Sequence, residues 1–562
     1  MAASAAEPAA PRLDALYPLG GSPGSTIAAV VRGSDLSGAY ALWFEDDGLT
    51  AEVIGVEPEA NASGGSKRKK QTDLLRVEVK LAEAVAPGQR SFRALTPGGV
   101  SNPLKLFVHQ APATLEAESA HDLPRQAQPI PALPAVVHGR IDEVGQVDYY
   151  AFEAGAGEEL LFWTVSSEAL DPAVAIYDLT GSWFDPDRAT RLAFADEPVA
   201  YPDLTTEARL RYRFESAGRY LVRVNGFWGH GGPDQSYALR IGPADADEAP
   251  TTPSDWAERT WTRSLETDRM ERLWGRAVPS LAPSIASIPV IDADAEPTTF
   301  PVEPQTISMP SLIVGTVEHP GDIDRVRFAV EEGDALAFEV ETPEKTIPEL
   351  NPFLRVVDSD GVEALTNIHS RVNANGNISK QIEAKTQYSF PRKGEFTLEI
   401  RDITASYGDR KMLYRVLVRP QVPHVGEVHI DEDRLNLVAG VAQKLTVVTD
   451  QEEGYDGYTL LTLEGLPPGV QAMMATETEP DRPPAFNEGK KERFTTKSQK
   501  ATFVLVSDAS APKTRTPVKA RVYAQPVVEG QLGPKILAKE LLVMVVEGGA
   551  EPAPPEATDE ER

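Results

Sequence analysis

The chain of 562 residues contains no cysteine. This absence excludes disulfide bonds, thiolate nucleophiles and zinc sites built from cysteine. The chain also has no apolar run near the roughly 20 residues that a membrane-spanning helix needs, so we expect no membrane span. The first residues contain neither a charged start nor an apolar stretch, so we expect no signal peptide in this sequence.

Positive charge is scarce. The chain has 55 Lys and Arg residues against 85 Asp and Glu residues, which gives a formal net charge of −30. A surface that binds nucleic acid needs clustered basic side chains to contact phosphates, so we expect no nucleic-acid partner. An acidic surface of this kind suits a soluble protein that collects divalent cations.

Proline and glycine are abundant, at 47 and 42 residues, and short alternating apolar stretches lie between them. This pattern predicts many short strands joined by turns, and the length is too great for one hydrophobic core. We therefore predict an all-β fold of tandem antiparallel β-sandwich or jelly-roll domains, with one bridging helix.

A strand–turn–strand pattern occurs twice without a gap. It reads GRIDEVGQVDYYAF at residues 139–152 and GTVEHPGDIDRVRF at residues 315–328. An apolar strand follows each, GEELLFWTV at residues 157–165 and GDALAFEV at residues 333–340. Because the spacing is too long for a solenoid repeat, the pattern predicts a duplicated domain.

These landmarks resemble the bacterial pre-peptidase C-terminal (PPC) domain family, whose pattern is an acidic lead-in, a Gly-Asp-x-Asp turn and later Asp/Asn-Pro and Gly-x-Tyr strands. The resemblance implies β-sandwiches that are generally non-catalytic and occur in secreted enzymes or surface proteins. Residues 13–108, with a Pro-x-x-Gly turn at the start and a Thr-Pro-x-Gly-x-Ser-Asn hairpin at the end, resemble the IPT/TIG family. Residues 463–470 are similar to a segment of bacterial immunoglobulin-like domains.

The domain boundaries follow from these patterns. We predict a flexible spacer at residues 1–12, an IPT/TIG-like sandwich at 13–110, a PPC-like sandwich at 111–245 (copy one), a linker at 246–290 with a helix at about 253–277, a second PPC-like sandwich at 291–420 (copy two), an immunoglobulin-like sandwich at 421–547 and a disordered tail at 548–562.

The linker helix is predicted from its stop signals. Thr252, Pro253 and Asp255 form an N-terminal box, and Pro279 ends the pattern. Its apolar side chains lie on two sides. The helix is therefore predicted to pack between the two copies, or else to be an exposed docking helix for a partner.

The resemblance implies a calcium site, since some PPC-like domains place carboxylate ligands in the lead-in and the turn. The matching acids in copy one are Glu116, Glu118 and Asp148, and those in copy two are Asp294, Glu296, Asp322 and Asp324. One turn acid is missing in copy one, so copy two is the better calcium candidate. The alternative is that turn aspartates bind backbone N–H groups and that lead-in acids are solvated charge.

Two loops place aromatic residues beside glycine. Phe227 and Trp228 lie in the glycine-rich segment 226–232, and Trp183 and Phe184 lie in another loop. These four side chains are the predicted ligand-binding residues. The alternative is an aromatic plug that closes the end of a sandwich, because large apolar side chains are usually buried.

No catalytic constellation emerges. The eight histidines are scattered without a metal-binding pair. Residues 20–24 satisfy the G-x-S-x-G pattern of hydrolases, but a predicted strand follows where that motif needs a helix. We expect a protein that is not an enzyme: an exported bacterial binding or scaffold protein at the cell surface, outside the cell or in the periplasm. It would engage protein or polysaccharide and be stiffened by Ca²⁺. The alternative is an accessory targeting or assembly subunit of an extracellular hydrolase system.

Overall fold

A computed structural model describes residues 10–59, 72–178, 189–195, 208–243, 288–294, 304–342, 350–372, 378–406, 408, 412–476, 497–528 and 530–547. The regular structure in these ranges is strand, apart from the single 3-10 turn Pro124–Gln126. The all-β prediction is confirmed. The predicted helix at about 253–277 and the predicted tail lie outside the described residues. No helix in the described ranges is long and apolar enough to cross a membrane.

The N-terminal sandwich consists of two sheets around one apolar core. Their orders are β1-β3-β6-β5 and β2-β9-β7-β4, with β8 paired to β7. The strands are β1 Arg12–Tyr17, β2 Gly20–Gly21, β3 Thr26–Ser34, β4 Ala41–Phe44, β5 Leu49–Pro58, β6 Asp73–Leu81, β7 Gly88–Thr96, β8 Gly99–Val100 and β9 Leu104–Val108. The G-x-S-x-G segment begins in β2 and ends just before β3, so the strand-to-helix elbow of hydrolases is absent there.

Copy one also has two sheets. The strands are β10 Ala113–Leu115, β11 Gln128–Pro129, β12 Ala135–Arg140, β13 Val147–Ala154, β14 Glu159–Ser166, β15 Pro172–Asp178, β16 Thr190–Ala195, β17 Arg209–Arg213, β18 Gly218–Gly226 and β19 Ser236–Pro243. The sheet orders are β10-β12-β19-β14-β17 and β11-β13-β18-β15-β16.

Copy two repeats this topology strand for strand. Its strands are β20 Val290–Asp292, β21 Gln305–Thr306, β22 Ser311–Thr316, β23 Asp324–Val330, β24 Ala335–Glu341, β25 Pro352–Asp358, β26 Glu363–Thr366, β27 Ile368–Val372, β28 Ile378–Ile382, β29 Lys385–Ser389, β30 Gly394–Asp402 and β31 Leu413–Pro420. The orders are β20-β22-β31-β24-β29 and β21-β23-β30-β25-β26, and the hairpin β27-β28 is additional. The sequence duplication is therefore a duplication of the fold.

The C-terminal sandwich has the sheet orders β32-β34-β37-β36 and β33-β40-β38-β35, with β39 paired to β38. Its strands are β32 His424–His429, β33 Arg434–Val438, β34 Ala442–Glu452, β35 Thr459–Glu464, β36 Val470–Thr476, β37 Lys497–Ser507, β38 Val518–Val528, β39 Gln531–Leu532 and β40 Ile536–Val546.

The sheets of the two copies contain parallel pairs beside the predicted antiparallel ones. In each copy the lead-in, which is the segment before the first long strand, contributes one short strand to each sheet. These short strands pair in parallel, β10 with β12 and β11 with β13 in copy one, and β20 with β22 and β21 with β23 in copy two. The lead-in therefore crosses from one sheet to the other at the edge of the sandwich. In copy one this crossing carries the acids of the lead-in past the acidic turn.

The first glycine of each repeat has a packing role. A Cβ atom on Gly139 would lie 2.4 Å from the hydroxyl oxygen of Tyr237, and one on Gly315 would lie 2.3 Å from that of Tyr414. Both tyrosines are fully buried. Each glycine therefore lets a tyrosine from the last strand of its copy pass beneath the first long strand and reach the acidic turn.

The four units are not arranged as a simple row in chain order. The N-terminal sandwich contacts copy one through Arg32, whose Nε donates to Asp234 at 2.6 Å. It also contacts the C-terminal sandwich through an ion pair of 2.6 Å between Arg93 and Asp433. The C-terminal sandwich in turn contacts copy two, where Arg419 forms ion pairs with residues of both units. The first and last units thus lie between the two copies.

Candidate functional site

A cleft of about 910 Å³ lies at the end of copy one, where it meets the N-terminal sandwich. Its walls are the lead-in at residues 115–122, the turn at residues 142–148, Arg140 and, from the N-terminal sandwich, Tyr17. The crossing lead-in and the acidic turn build this cleft together, so residues distant in the sequence share one site.

Asp148 forms the floor of the cleft. It is buried in β13, and its Oδ2 accepts a hydrogen bond of 2.6 Å from the hydroxyl of Tyr237. Its Oδ1 accepts one of 2.9 Å from the side-chain amide of Gln146. The hydroxyls of Tyr150 and Tyr237 lie 2.5 Å apart, which extends the buried network. Burial raises the pKa of Asp148, although these hydrogen bonds oppose the shift.

Glu116 reaches the same place from the lead-in. Its Oε2 accepts a hydrogen bond of 2.9 Å from the backbone N–H of Arg140, and its Oε1 accepts one of 3.3 Å from the hydroxyl of Tyr17. Burial, with the nearby charge of Asp148, raises the pKa of Glu116 to about 7. Two carboxyl groups therefore converge in a place that disfavours their negative charge.

His121 is a candidate site residue that the sequence pattern does not predict. One ligand atom from each of Glu116, His121 and Asp148 lies within 4.8 Å of the others, and no other such group occurs among the described residues. The signal available in the sequence is weak: His121 is a lone histidine five positions after Glu116. Glu118, predicted as a third acid ligand, lines the cleft but is exposed and lies outside this group.

The converging groups of copy one include a nitrogen donor. Ca²⁺ prefers six to eight oxygen ligands from carboxylates, carbonyls and water. Here one of the three converging groups is an imidazole, and two carboxyl groups supply the remaining protein ligands. The predicted residues Glu116 and Asp148 do come together, and a nitrogen donor lies within 4.8 Å of both.

The turn position that lacks an acid in copy one has the same structural role in both copies. The turn position is Gln146 in copy one and Asp322 in copy two. The Oε1 of Gln146 accepts a hydrogen bond of 2.8 Å from the backbone N–H of Asp142. The Oδ2 of Asp322 accepts one of 2.7 Å from the backbone N–H of Glu318. Both side chains thus cap their own turn, as the alternative interpretation states.

The other predicted acids of copy two also have protein partners. The Oδ1 of Asp294 accepts a hydrogen bond of 2.8 Å from the N–H of Thr316, and the buried Asp324 accepts one of 2.5 Å from the hydroxyl of Tyr414. Glu296 lies outside the described residues.

The aromatic loop of copy one is packed against the acidic turn. The N–H of Gly145 donates to the carbonyl of Gly229 at 2.9 Å, and a Cβ atom on Gly231 would lie 2.0 Å from the carbonyl oxygen of Glu143. Only glycine fits at that contact. The loop and the turn therefore form one continuous surface at the mouth of the cleft.

Trp228 projects from this surface and is 71% exposed. Phe227 supports it, with ring centroids 4.9 Å apart in an edge-to-face arrangement, and is itself 39% exposed. Beside them Val144, in the turn, is 82% exposed. The plug interpretation is wrong for Trp228. The other predicted aromatic pair, Trp183 and Phe184, lies outside the described residues.

Comparison with known proteins gives little information. No family model and no curated protein matches this chain. Among solved structures, it is similar to the secreted serine protease VesC from Vibrio cholerae, at 9% identity over 40% of this chain and 47% of that chain, with a TM-score of 0.15. The chain thus spans about half the length of that protease.

Two further solved structures show a similar level of likeness. One is the SGBP-B protein of a Bacteroides ovatus mixed-linkage glucan utilization locus, at 10% identity, 71% of this chain, 72% of that chain and a TM-score of 0.13. Another is the α-2-macroglobulin of E. coli, at 10% identity, 97% of this chain, 30% of that chain and a TM-score of 0.13. TM-scores this low support no statement about function.

Proposed function

We propose that this protein is a non-catalytic, multidomain binding protein or scaffold that is exported and acts at the cell surface. In this proposal its units are an IPT/TIG-like domain, two PPC-like domains and an immunoglobulin-like domain. The observation that carries the proposal is the exposed Trp228 on a loop fixed to the mouth of an acidic cleft.

The loop is suited to binding because it is held in place before any ligand arrives. Its two ends are anchored by hydrogen bonds from Phe227 N–H to Asp171 at 2.7 Å and from Gly232 N–H to Ile141 at 2.8 Å. A rigid aromatic side chain loses little conformational entropy when a ligand covers it. Covering a side chain of this size is worth roughly 2–3 kcal/mol.

The chemistry beside Trp228 indicates what kind of ligand fits. Exposed acids, among them Asp142 and Glu143, line the cleft next to the aromatic surface. Carboxylates accept hydrogen bonds from hydroxyl and amide groups. A polysaccharide would place a sugar ring on Trp228 and its hydroxyls on the acids. A protein ligand would place an apolar side chain there and a basic one in the cleft.

The test is retention of the purified full chain on a panel of insoluble polysaccharides and immobilised extracellular proteins. Trp228→Ala should weaken retention at least tenfold on the polymer that binds the natural protein. Tyr458→Ala is the matched control, because Tyr458 is 81% exposed in the C-terminal sandwich. Retention that is equal in both variants, or absent for every polymer, would contradict the proposal.

Calcium binding by copy two is kept as a separate part of the proposal. Asp324 accepts a hydrogen bond from the hydroxyl of Tyr414, while Asp294 and Asp322 accept hydrogen bonds from the backbone N–H groups of Thr316 and Glu318. Oxygen ligands alone suit Ca²⁺. Thermal unfolding in EDTA and in millimolar Ca²⁺ should differ by several degrees. A rise that persists in Asp322→Ala would remove that residue from the site.

A further inference from the structure

The tautomer of His121 can be derived from its contacts. Its Nδ1 lies 3.0 Å from the carbonyl oxygen of Ser119. A carbonyl oxygen only accepts hydrogen bonds, so Nδ1 carries the proton and the Nε2 of the neutral ring carries a lone pair. A hydrogen bond of this kind is the usual way in which a metal-binding histidine is oriented.

The Nε2 atom of His121 lies beside another hydrogen-bond acceptor. His121 is 7% exposed, its Nε2 is buried and makes no hydrogen bond, and this atom lies 3.5 Å from Oδ1 of Asp148. A lone pair and a carboxylate oxygen at this distance repel each other unless a cation or a proton lies between them. The contact therefore calls for a positive charge at this position.

The carboxyl groups of Asp148 and Glu116 are also held in fixed orientations, as the ligands of a cation would be. Tyr237 and Gln146 orient Asp148, while Tyr17 and the backbone of Arg140 orient Glu116. The guanidinium of Arg140 donates to Asp142 at 3.1 Å and lies over the ring of Tyr17, and its charge also favours the ionised form of Glu116. Supporting hydrogen bonds to each ligand are typical of metal sites in proteins.

One imidazole nitrogen and two carboxyl groups together favour a particular class of metal ion. Imidazole nitrogen suits zinc and neighbouring first-row transition metals, and zinc also takes carboxylate oxygen at about 2.0–2.2 Å. Two tetrahedral ligands at that length are roughly 3.4 Å apart, which agrees with the 3.5 Å between His121 and Asp148. Water from the cleft can supply further ligands.

We propose that Glu116, His121 and Asp148 bind a divalent transition-metal ion of the zinc class in preference to calcium. The ion would join the lead-in, where Tyr17 of the N-terminal sandwich contacts Glu116, to β13 of copy one. Binding of this ion and binding of a polymer by Trp228 are separate properties. The zinc site should remain in Trp228→Ala, so the failure of one proposal leaves the other intact.

The test is calorimetric titration of the full chain, after dialysis against EDTA and then metal-free buffer, with ZnCl₂ and separately with CaCl₂. One zinc ion per chain should bind at the site, and His121→Ala should weaken binding at least tenfold. Calcium at millimolar concentration should not displace the zinc. His429→Ala is the matched control, because His429 is a half-exposed histidine beside acids in the C-terminal sandwich.

Several results would overturn the proposal. These are no zinc binding by the natural protein, zinc binding that is lost in His429→Ala but kept in His121→Ala, and calcium binding at the site that does not depend on His121. If His121→Ala does not fold, X-ray absorption of the zinc-loaded natural protein decides the question. The spectrum should show one imidazole among oxygen ligands, and a spectrum with oxygen ligands alone would contradict the site.

Discussion

The side-chain amide of Asn436 makes two hydrogen bonds to the backbone of Val100, one from Val100 N–H to Oδ1 at 2.9 Å and one from Nδ2 to the Val100 carbonyl at 3.0 Å. These residues are 336 positions apart and join the C-terminal to the N-terminal sandwich. Around them lies an apolar cluster that draws on both units and includes Leu95, Met544 and Val546. The two ends of the described chain therefore form the centre of the molecule.

Removing the Asn436 amide should destabilise the contact between the N-terminal and C-terminal sandwiches. Asn436→Ala leaves two backbone groups of Val100 without their partners, which should lower the free energy of unfolding by about 1–3 kcal/mol. Gly99→Ala should act in the same direction, because a Cβ atom there would lie 2.2 Å from the Asn436 side chain. Urea unfolding measures the loss, and small-angle scattering should show a larger radius of gyration. Unchanged values in both variants would contradict this contact.

The buried Arg419 should stabilise the contact between copy two and the C-terminal sandwich. It lies between Glu339, at 2.6 Å, and Glu453, at 2.7 Å, and it is fully buried. Arg419→Met would remove the guanidinium from two buried carboxylates and leave Glu453 with the more distant Lys385, at 3.3 Å, at a cost of roughly 3–5 kcal/mol. Chemical denaturation near neutral pH measures this loss, with the exposed pair of Lys393 and Glu331 as a control site.

The same ion pair predicts a dependence on pH. Burial opposes the ionisation of Glu453, but hydrogen bonds and charge from Arg419 outweigh it and hold the pKa of Glu453 below its ordinary value of 4.5. A lowered pKa adds stability above the unfolded value, and this stability is lost as the pH falls through the folded value. The deficit of Arg419→Met should therefore be largest near neutral pH and shrink in acid. A deficit that is constant with pH would show that the charge of Glu453 is not its cause.

The contact between the aromatic loop and the acidic turn can be tested with two neighbouring glycines. Gly231→Ala should push the loop away from Glu143 and weaken polymer retention, because Trp228 loses its fixed position. Gly232→Ala is the matched control, since a Cβ atom there meets nothing within 4 Å. Intrinsic tryptophan fluorescence and retention should change in the first variant only. Equal effects in the two variants would argue against a preorganised loop.

The buried tyrosine–aspartate pair of copy two should contribute to stability. Tyr414→Phe removes the donor from the buried Asp324, which should lower the free energy of unfolding by about 1–3 kcal/mol. Tyr458→Phe removes a hydroxyl from an exposed ring and should have no measurable effect. Thermal melts compare the two. A melting temperature for Tyr414→Phe equal to that of the natural protein would show that Asp324 does not depend on this bond.

The fold class and the duplication could be predicted because they depend on local patterns. Apolar alternation favours strands. The repeated Gly139 and Gly315 occupy equivalent positions, where a buried tyrosine packs against the strand in each copy. The parallel lead-in strands were not predicted, because two- and three-residue strands leave almost no periodic signal. The spatial order was not predictable either, since it depends on contacts such as that of Asn436 with Val100.

The candidate site was predicted only in part. Glu116 and Asp148 were named because the resemblance to PPC-like domains implies carboxylate ligands in the lead-in and the turn, and Phe227 and Trp228 because they are aromatic residues in a glycine-rich loop. His121 was missed, since its importance comes from the Ser119 carbonyl that fixes its tautomer and from its burial against Asp148. The role of Gln146 as a turn cap likewise depends on backbone geometry that composition does not encode.

Hydrogen exchange of the full chain, with and without the polymer that retains it, tests the proposed function most directly. The account predicts slower exchange on binding at residues 226–232 and 141–147, the loop and the turn that hold Trp228 and Val144. Exchange around Tyr458 in the C-terminal sandwich should stay unchanged. Protection confined to other units, or no protection at the end of copy one, would contradict the claim that this surface binds the ligand.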